Sequence, residues 1–129
     1  MAYTVDMAEA AERHYADGSA LHGAKRYDGA GYHFGLATEC VIKYVLWESH
    51  DLRPVDSAWW KHFPELRLLA ETFLRTRNQA ALLRKIIEDE SLMQEWDIVM
   101  RYAPNGSVQM RKAARWKEQA NEALGLLYI

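Results

Sequence analysis

Residues 7–49 constrain the fold more than any other stretch of the chain. Apolar and small side chains recur there at three- and four-residue steps, which is the period of one helical face. Asp6 followed by Glu9 reads as a helix start: the Asp side chain can take a first-turn amide and the Glu can reach back. From there Ala8, Ala11, Tyr15, Gly18 and Leu21 share a face, predicting a helix over about Met7–Ala24. A second stripe, Ala30, Phe34, Ala37, Val41, Tyr44 and Val45, predicts a helix over about Asp28–Ser49. Leu36, Cys40 and Trp47 widen this stripe, as expected of a central helix contacted from more than one side. Gly29, Gly31 and Gly35 are poor helix formers, so their presence needs a packing reason. Ala11 and Gly18 are matching small positions on the first helix. The two helices are therefore expected to pack antiparallel across a short turn at Lys25–Tyr27.

The rest of the chain continues the helical reading, since strand patterning is weak. Residues His50–Lys61 read as a loop, with Trp59 and Trp60 covering the end of the bundle. A third helix is expected over Pro64–Arg75, with Leu66, Leu69 and Phe73 on one face. A fourth is expected over Asn78–Asp89, with Ala81, Leu82, Ile86 and Leu83 turned inward. A short helix is expected around Leu92–Trp96, then a turn at Ala103–Gly106. A last helix starts at Ser107 as N-cap and buries Ala113, Trp116, Ala120, Leu124 and Leu127. The fold class is all-α: an up-and-down bundle of four to five helices in one domain, residues 1–129.

Several function classes drop out on charge and motif. The net charge is −2, which argues against a dedicated nucleic-acid binder but leaves room for a local basic patch. The single cysteine, Cys40, rules out an intrachain disulfide and reads as an inert, packed thiol. No apolar run reaches membrane-spanning length and no secretory leader is evident, so a cytoplasmic protein is expected. There is no phosphate-binding glycine loop, no nucleophile elbow and no Cys/His metal spacing. His14 and His22 share a helix face but sit two turns apart. No metal ion and no cofactor are expected.

Three places can carry chemistry. Glu39 and Lys43 are four apart on the second helix. They read either as a surface i,i+4 pair or as a partly buried pair that needs partners from other helices. His62 reads either as a residue fixing its loop against the first helix or as a polar group at the bundle mouth. Arg101–Tyr102, just before the turn, is the most site-like: an arginine beside an aromatic can present its fork to phosphate. Residues 101–118 hold five basic side chains, Arg101, Arg111, Lys112, Arg115 and Lys117, against one acid. Residues 61–85 hold six against two, and the acids gather at 6–17 and 88–97. Such segregation can form a phosphate-attracting face on a near-neutral protein.

Residues 8–120 resemble the HEPN family (higher eukaryotes and prokaryotes nucleotide-binding domain). The resemblance rests on Ala11, His14, Ala20 and Leu21, on Arg26–Tyr27–Asp28–Gly29–Ala30, on Tyr32–His33–Phe34–Gly35–Leu36–Ala37–Thr38–Glu39–Cys40–Val41–Ile42–Lys43, on His62 with Leu66, and on Trp96 with Arg101–Tyr102. It implies a dimerising helical bundle. Family members include ribonucleases of toxin–antitoxin and defence systems, nucleotide binders and partners of nucleotidyltransferase-like proteins. The family's ribonuclease motif is an arginine and a histidine with four to six residues between them. Arg101 stands at the place for it, but Tyr102–Met110 contains no histidine. Arg26 and His33 have the spacing in the wrong place. The expected function is therefore a non-catalytic module that forms a homodimer and binds RNA or nucleotide phosphate, or a cognate protein. Arg101, Tyr102, Glu39, Lys43, Arg111 and Arg115 are its candidate binding residues. Two alternatives stand beside it: a divergent metal-independent ribonuclease using Arg101 with His62 or His14, and a purely structural interaction module. Five Trp and seven Tyr in a small chain motivate the dimer, being more aromatics than one core needs.

Overall fold

The computed structural model describes residues 3–50, 52–74 and 81–128, the side chain of His50 excepted. Within them are five α-helices and no strand: α1 Met7–Gly23, α2 Tyr27–His50, α3 Glu65–Leu74, α4 Ala81–Glu88 and α5 Met110–Leu124. Short 3-10 turns lie at Ser57–Trp60, Ile98–Tyr102 and Gly125–Tyr128.

Asp6 starts α1 as expected, its carboxylate accepting the Glu9 amide at 3.0 Å. Such a cap contributes about 1 kcal/mol. Lys25, in the left-handed region at φ 62°, turns the chain into α2. The two helices run antiparallel, because their partners count down as α1 counts up: His14 meets His33, Gly18 meets the Ala30 carbonyl, and Leu21 meets Gly29. A side chain on Gly18 would lie 2.8 Å from the Phe34 ring and 3.2 Å from the Ala30 carbonyl oxygen. That close approach is the packing reason expected for this small residue.

Gly31 and Gly35 serve the opposite side of α2. A Cβ on Gly31 would strike the Trp116 ring at 2.8 Å, and one on Gly35 would lie 2.0 Å from Trp96 Nε1. These glycines receive tryptophans from α5 and the loop before it, not the backbone of α1. The Trp96 indole also donates to the Gly31 carbonyl at 3.0 Å. Helix α2 is thus the central element, packed on α1, α3 and α5. Ala30, Phe34, Ala37, Val41, Ile42 and Leu46 form its buried spine. The buried apolar side chains make one continuous core from Ala11 to Leu126.

The structure corrects several local expectations. Trp59 is buried, but Trp60 is exposed and only its indole N–H is tied, to the Pro54 carbonyl at 3.0 Å. Helix α4 buries Leu83, Ile86 and Ile87, while Ala81 and Leu82 face outward. Leu83 and Ile86 are turned inward as expected, whereas Ala81 and Leu82 are not. The expected start of this helix at Asn78 and the end of α3 at Arg75 lie outside the described residues. Leu92–Trp96 is a series of turns rather than a helix, because Met93 and Glu95 adopt positive φ, 48° and 70°. On α5 the buried face ends on Ala123 and Leu126, with Leu124 and Leu127 only partly covered. Gln109, not Ser107, occupies the N-cap position and makes no side-chain cap bond. Among the described residues no helix is long and apolar enough to cross a membrane.

Candidate functional site

Arg101 and Tyr102 end the 3-10 turn Ile98–Tyr102, whose start is capped by Asp97 accepting the Val99 amide at 2.8 Å. Both side chains are exposed, Tyr102 to 79%. The Arg101 guanidinium lies 5.6 Å from the centroid of the Tyr32 ring and 5.7 Å from that of Tyr102. Within about 6 Å a guanidinium is attracted by the ring face. Tyr32 in turn stacks on Trp96, with the planes 10° apart and the centroids at 6.1 Å. Trp96 is the indole seated on Gly35, so the arginine rests on an aromatic stack anchored in the core. No ion pair or hydrogen bond to another side chain occupies the guanidinium among the described residues. Its donor fork faces solvent.

The loop after Tyr102 is held by Asp28, the second residue of α2. Its two carboxylate oxygens accept the Gly106 and Val108 amides, each at 2.8 Å. Gly106 has φ +85°, a conformation that favours glycine. Asp28 thereby does for this loop what Ser107 was expected to do for α5. Ser107 instead donates to the Pro104 carbonyl at 2.6 Å. Beyond the loop, Ser107, Gln109, Arg111, Lys112 and Arg115 line one surface depression. Lys112 pairs with Glu95 and also lies over the Trp116 ring. Arg111 and Arg115 are exposed. The loop bearing Glu95 is tied to α5 by Gln119, which accepts the Met93 amide and donates to the Ser91 carbonyl, both at 2.9 Å.

Glu39 and Lys43 lie elsewhere. They are 2% and 6% exposed, so the buried reading of the pair is the one realised. Glu39 accepts the Phe63 amide at 2.6 Å through one oxygen and contacts His62 Nδ1 at 2.7 Å through the other. The partner from another element that the pair required is therefore His62 with its own loop. His62 fixes that loop to α2 rather than to α1. Burial pushes the Lys43 ammonium below its ordinary pKa, and the Glu39 carboxylate opposes the shift. Glu39 and His62 hold α2 to the loop before α3.

His14 is half-buried on α1, its Nδ1 3.1 Å from His33 Nδ1 on α2. Burial lowers its pKa, His33 and Arg13 lower it further, and Asp17 opposes them. Among the described residues no hydrogen bond or ring contact joins Arg101 to His62 or to His14. The imidazole nearest to the arginine by way of ring contacts is that of His33, whose centroid is 5.6 Å from that of Tyr32. Arg75 and Arg77, counted above as part of the basic face, lie outside the described residues.

Tyr32, Trp96, Asp28 and His33 are the residues that sequence reasoning did not single out as site components. Asp28 and Tyr32 stood in the α2 stretch that carries the family resemblance, which was the available signal. Comparison with protein-family models, with curated proteins and with solved structures returns no significant match.

Proposed function

We propose that this chain is a HEPN-like helical module that dimerises and binds phosphate of RNA or of a nucleotide, without cleaving it. The observation that carries this reading is Arg101, an exposed guanidinium set on Tyr32 and Tyr102 with its fork toward solvent. Arginine so placed suits bidentate recognition of phosphate, and the exposed Tyr102 ring suits stacking of an unpaired base. Exposed Arg111 and Arg115 add charge along the start of α5. The non-catalytic reading is supported by the placement of the two histidines expected to serve a ribonuclease. His62 is engaged by Glu39 and His14 by His33, so neither stands ready to move a proton at a phosphate held by Arg101.

Fluorescence anisotropy with a short labelled single-stranded RNA tests the assignment. Arg101→Ala should weaken binding about tenfold, equivalent to about 1.4 kcal/mol, with Tm nearly unchanged. Equal affinity in the variant, or an unfolded variant, sinks it. Incubation of excess protein with total RNA should leave the RNA intact. Dimerisation is supported by the apolar side chains left outside the core, Leu68, Leu82, Val99 and Met110 among them. Sedimentation as a 14.9 kDa monomer at micromolar concentration would remove that part of the reading.

A further inference from the structure

We infer that His14 and His33 together bind a divalent transition-metal ion of the copper, nickel and zinc class. Their Nδ1 atoms face each other at 3.1 Å and their ring centroids are 5.3 Å apart. Two imidazole nitrogens at about 2.0–2.1 Å from one tetrahedral zinc stand about 3.3 Å from each other. The separation of the two nitrogens thus matches that of a chelating pair to a few tenths of an ångström, and each ring has to turn its Nδ1 lone pair from its partner toward the shared ion.

The backbone that holds the two rings is firm. His14 is one turn from Gly18, where α1 comes against Phe34 and the Ala30 carbonyl, and His33 is the residue before Phe34. The Tyr32 ring packs beside His33 and limits its swing. Without an ion, one Nδ1–H donates to the other Nδ1. With an ion, each ring carries its proton on Nε2 and offers Nδ1 as ligand, so no net charge has to be buried beyond the ion's own. Among the described residues no cluster of three or more histidines, cysteines or carboxylates forms a metal site. The remaining positions therefore belong to water or to a ligand from solution, as in an open site. Two neutral imidazoles favour copper over nickel and zinc, and discriminate against magnesium and calcium, which prefer oxygen ligands. The site lies on the α1–α2 seam and does not depend on Arg101 or on the phosphate reading.

Copper(II) added at one equivalent to the purified protein tests the site. The electron paramagnetic resonance spectrum should show superhyperfine coupling to two imidazole nitrogens. His14→Gln and His33→Gln should each leave one nitrogen and weaken the copper Kd at least tenfold. His22→Ala, on the same helix face as His14, should change neither. With zinc at ten times its Kd, Tm should rise by about 5 °C, and magnesium should give no rise. No bound copper in the wild-type protein overturns the inference. So does a spectrum and Kd left unchanged by both Gln variants, which would place the ion at the N-terminus or another imidazole. Should one Gln variant fail to fold, the nitrogen count of the wild type and the other variant still decides.

Discussion

The indole of Trp96 stands where a side chain on residue 35 would have to be. A Cβ on Gly35 would lie 2.0 Å from Trp96 Nε1 and 2.1 Å from Cε2. Trp96 is buried, donates to the Gly31 carbonyl, stacks on Tyr32 and meets the Phe63 ring edge-on. These contacts hold the bulky indole in place. Gly35→Ala should therefore destabilise the protein by about 3 kcal/mol, at the upper end of what overpacking costs. The better helix propensity of alanine offsets about 1 kcal/mol of strain at most. Because Tyr32 carries Arg101, the same variant should also weaken RNA binding at temperatures where it is still folded. Urea denaturation and anisotropy on one preparation check both, and a variant as stable as wild type would show that the seat can relax.

Glu39 should matter more to stability than the histidine it touches. Its carboxylate is buried and bonded to both the Phe63 amide and His62, while Lys43 lies buried one turn on. Glu39→Ala leaves a buried amide without its acceptor and removes the nearby carboxylate charge that favours the Lys43 ammonium, a loss of about 3 kcal/mol. His62→Ala removes one half-exposed contact and keeps the Phe63 bond, so it should cost about 1 kcal/mol. Guanidinium unfolding of the two variants gives the comparison. Equal losses would mean that the imidazole, not the backbone amide, is the main partner.

Cys40 should be slow to modify at neutral pH. Burial is the largest cause holding its thiol up at about 11; Glu39 adds to this and Lys43 opposes it. The thiolate is the reactive form. At pH 8 its fraction should be about two-hundredfold below that of an ordinary exposed cysteine with pKa near 8.5. Reaction with a disulfide reagent should therefore be about two-hundredfold slower than for a free thiol, and should accelerate as pH rises toward 11. A rate near that of free cysteine at pH 8 would show that the site opens readily.

Which parts of this architecture the sequence discloses follows from how local their causes are. The α1–α2 hairpin was legible because its stripes and its Asp6 cap are each set by residues three or four apart. That Gly31 and Gly35 needed a packing partner was legible too. Which partner was not, since Trp96 is 61 residues from Gly35 and Trp116 is 85 residues from Gly31 along the chain. The segment Leu92–Trp96 carries helix-like apolar spacing, yet Gln119, Trp116 and Lys112 draw its backbone onto α5 and force two left-handed residues. Long-range bonds of that kind leave no local mark. The His14–His33 contact is similar: histidines 19 apart on different helices have no spacing that announces them. The buried state of Glu39 and Lys43 was one of two open readings, and it was decided by a loop from another part of the chain.

Salt dependence offers the sharpest check on how RNA phosphates are held. Each phosphate of a single strand neutralised by a cation contributes about −0.7 to the slope of log affinity against log salt. If Arg101, Arg111 and Arg115 each hold one phosphate, the wild-type slope should be about −2. Arg101→Ala should lower its magnitude by about 0.7. Tyr102→Ala should weaken binding through lost stacking, about 1–3 kcal/mol per base, and leave the slope where it was. The two side chains are neighbours on one 3-10 turn, so a general distortion of that turn would move slope and stacking together in both variants. Separation of the two effects therefore distinguishes a phosphate-holding arginine beside a base-stacking tyrosine from a turn that only keeps the bundle in shape. Anisotropy titrations of wild type, Arg101→Ala and Tyr102→Ala across a range of salt concentrations give both quantities. A slope of zero in the wild type would remove phosphate contact from the reading altogether.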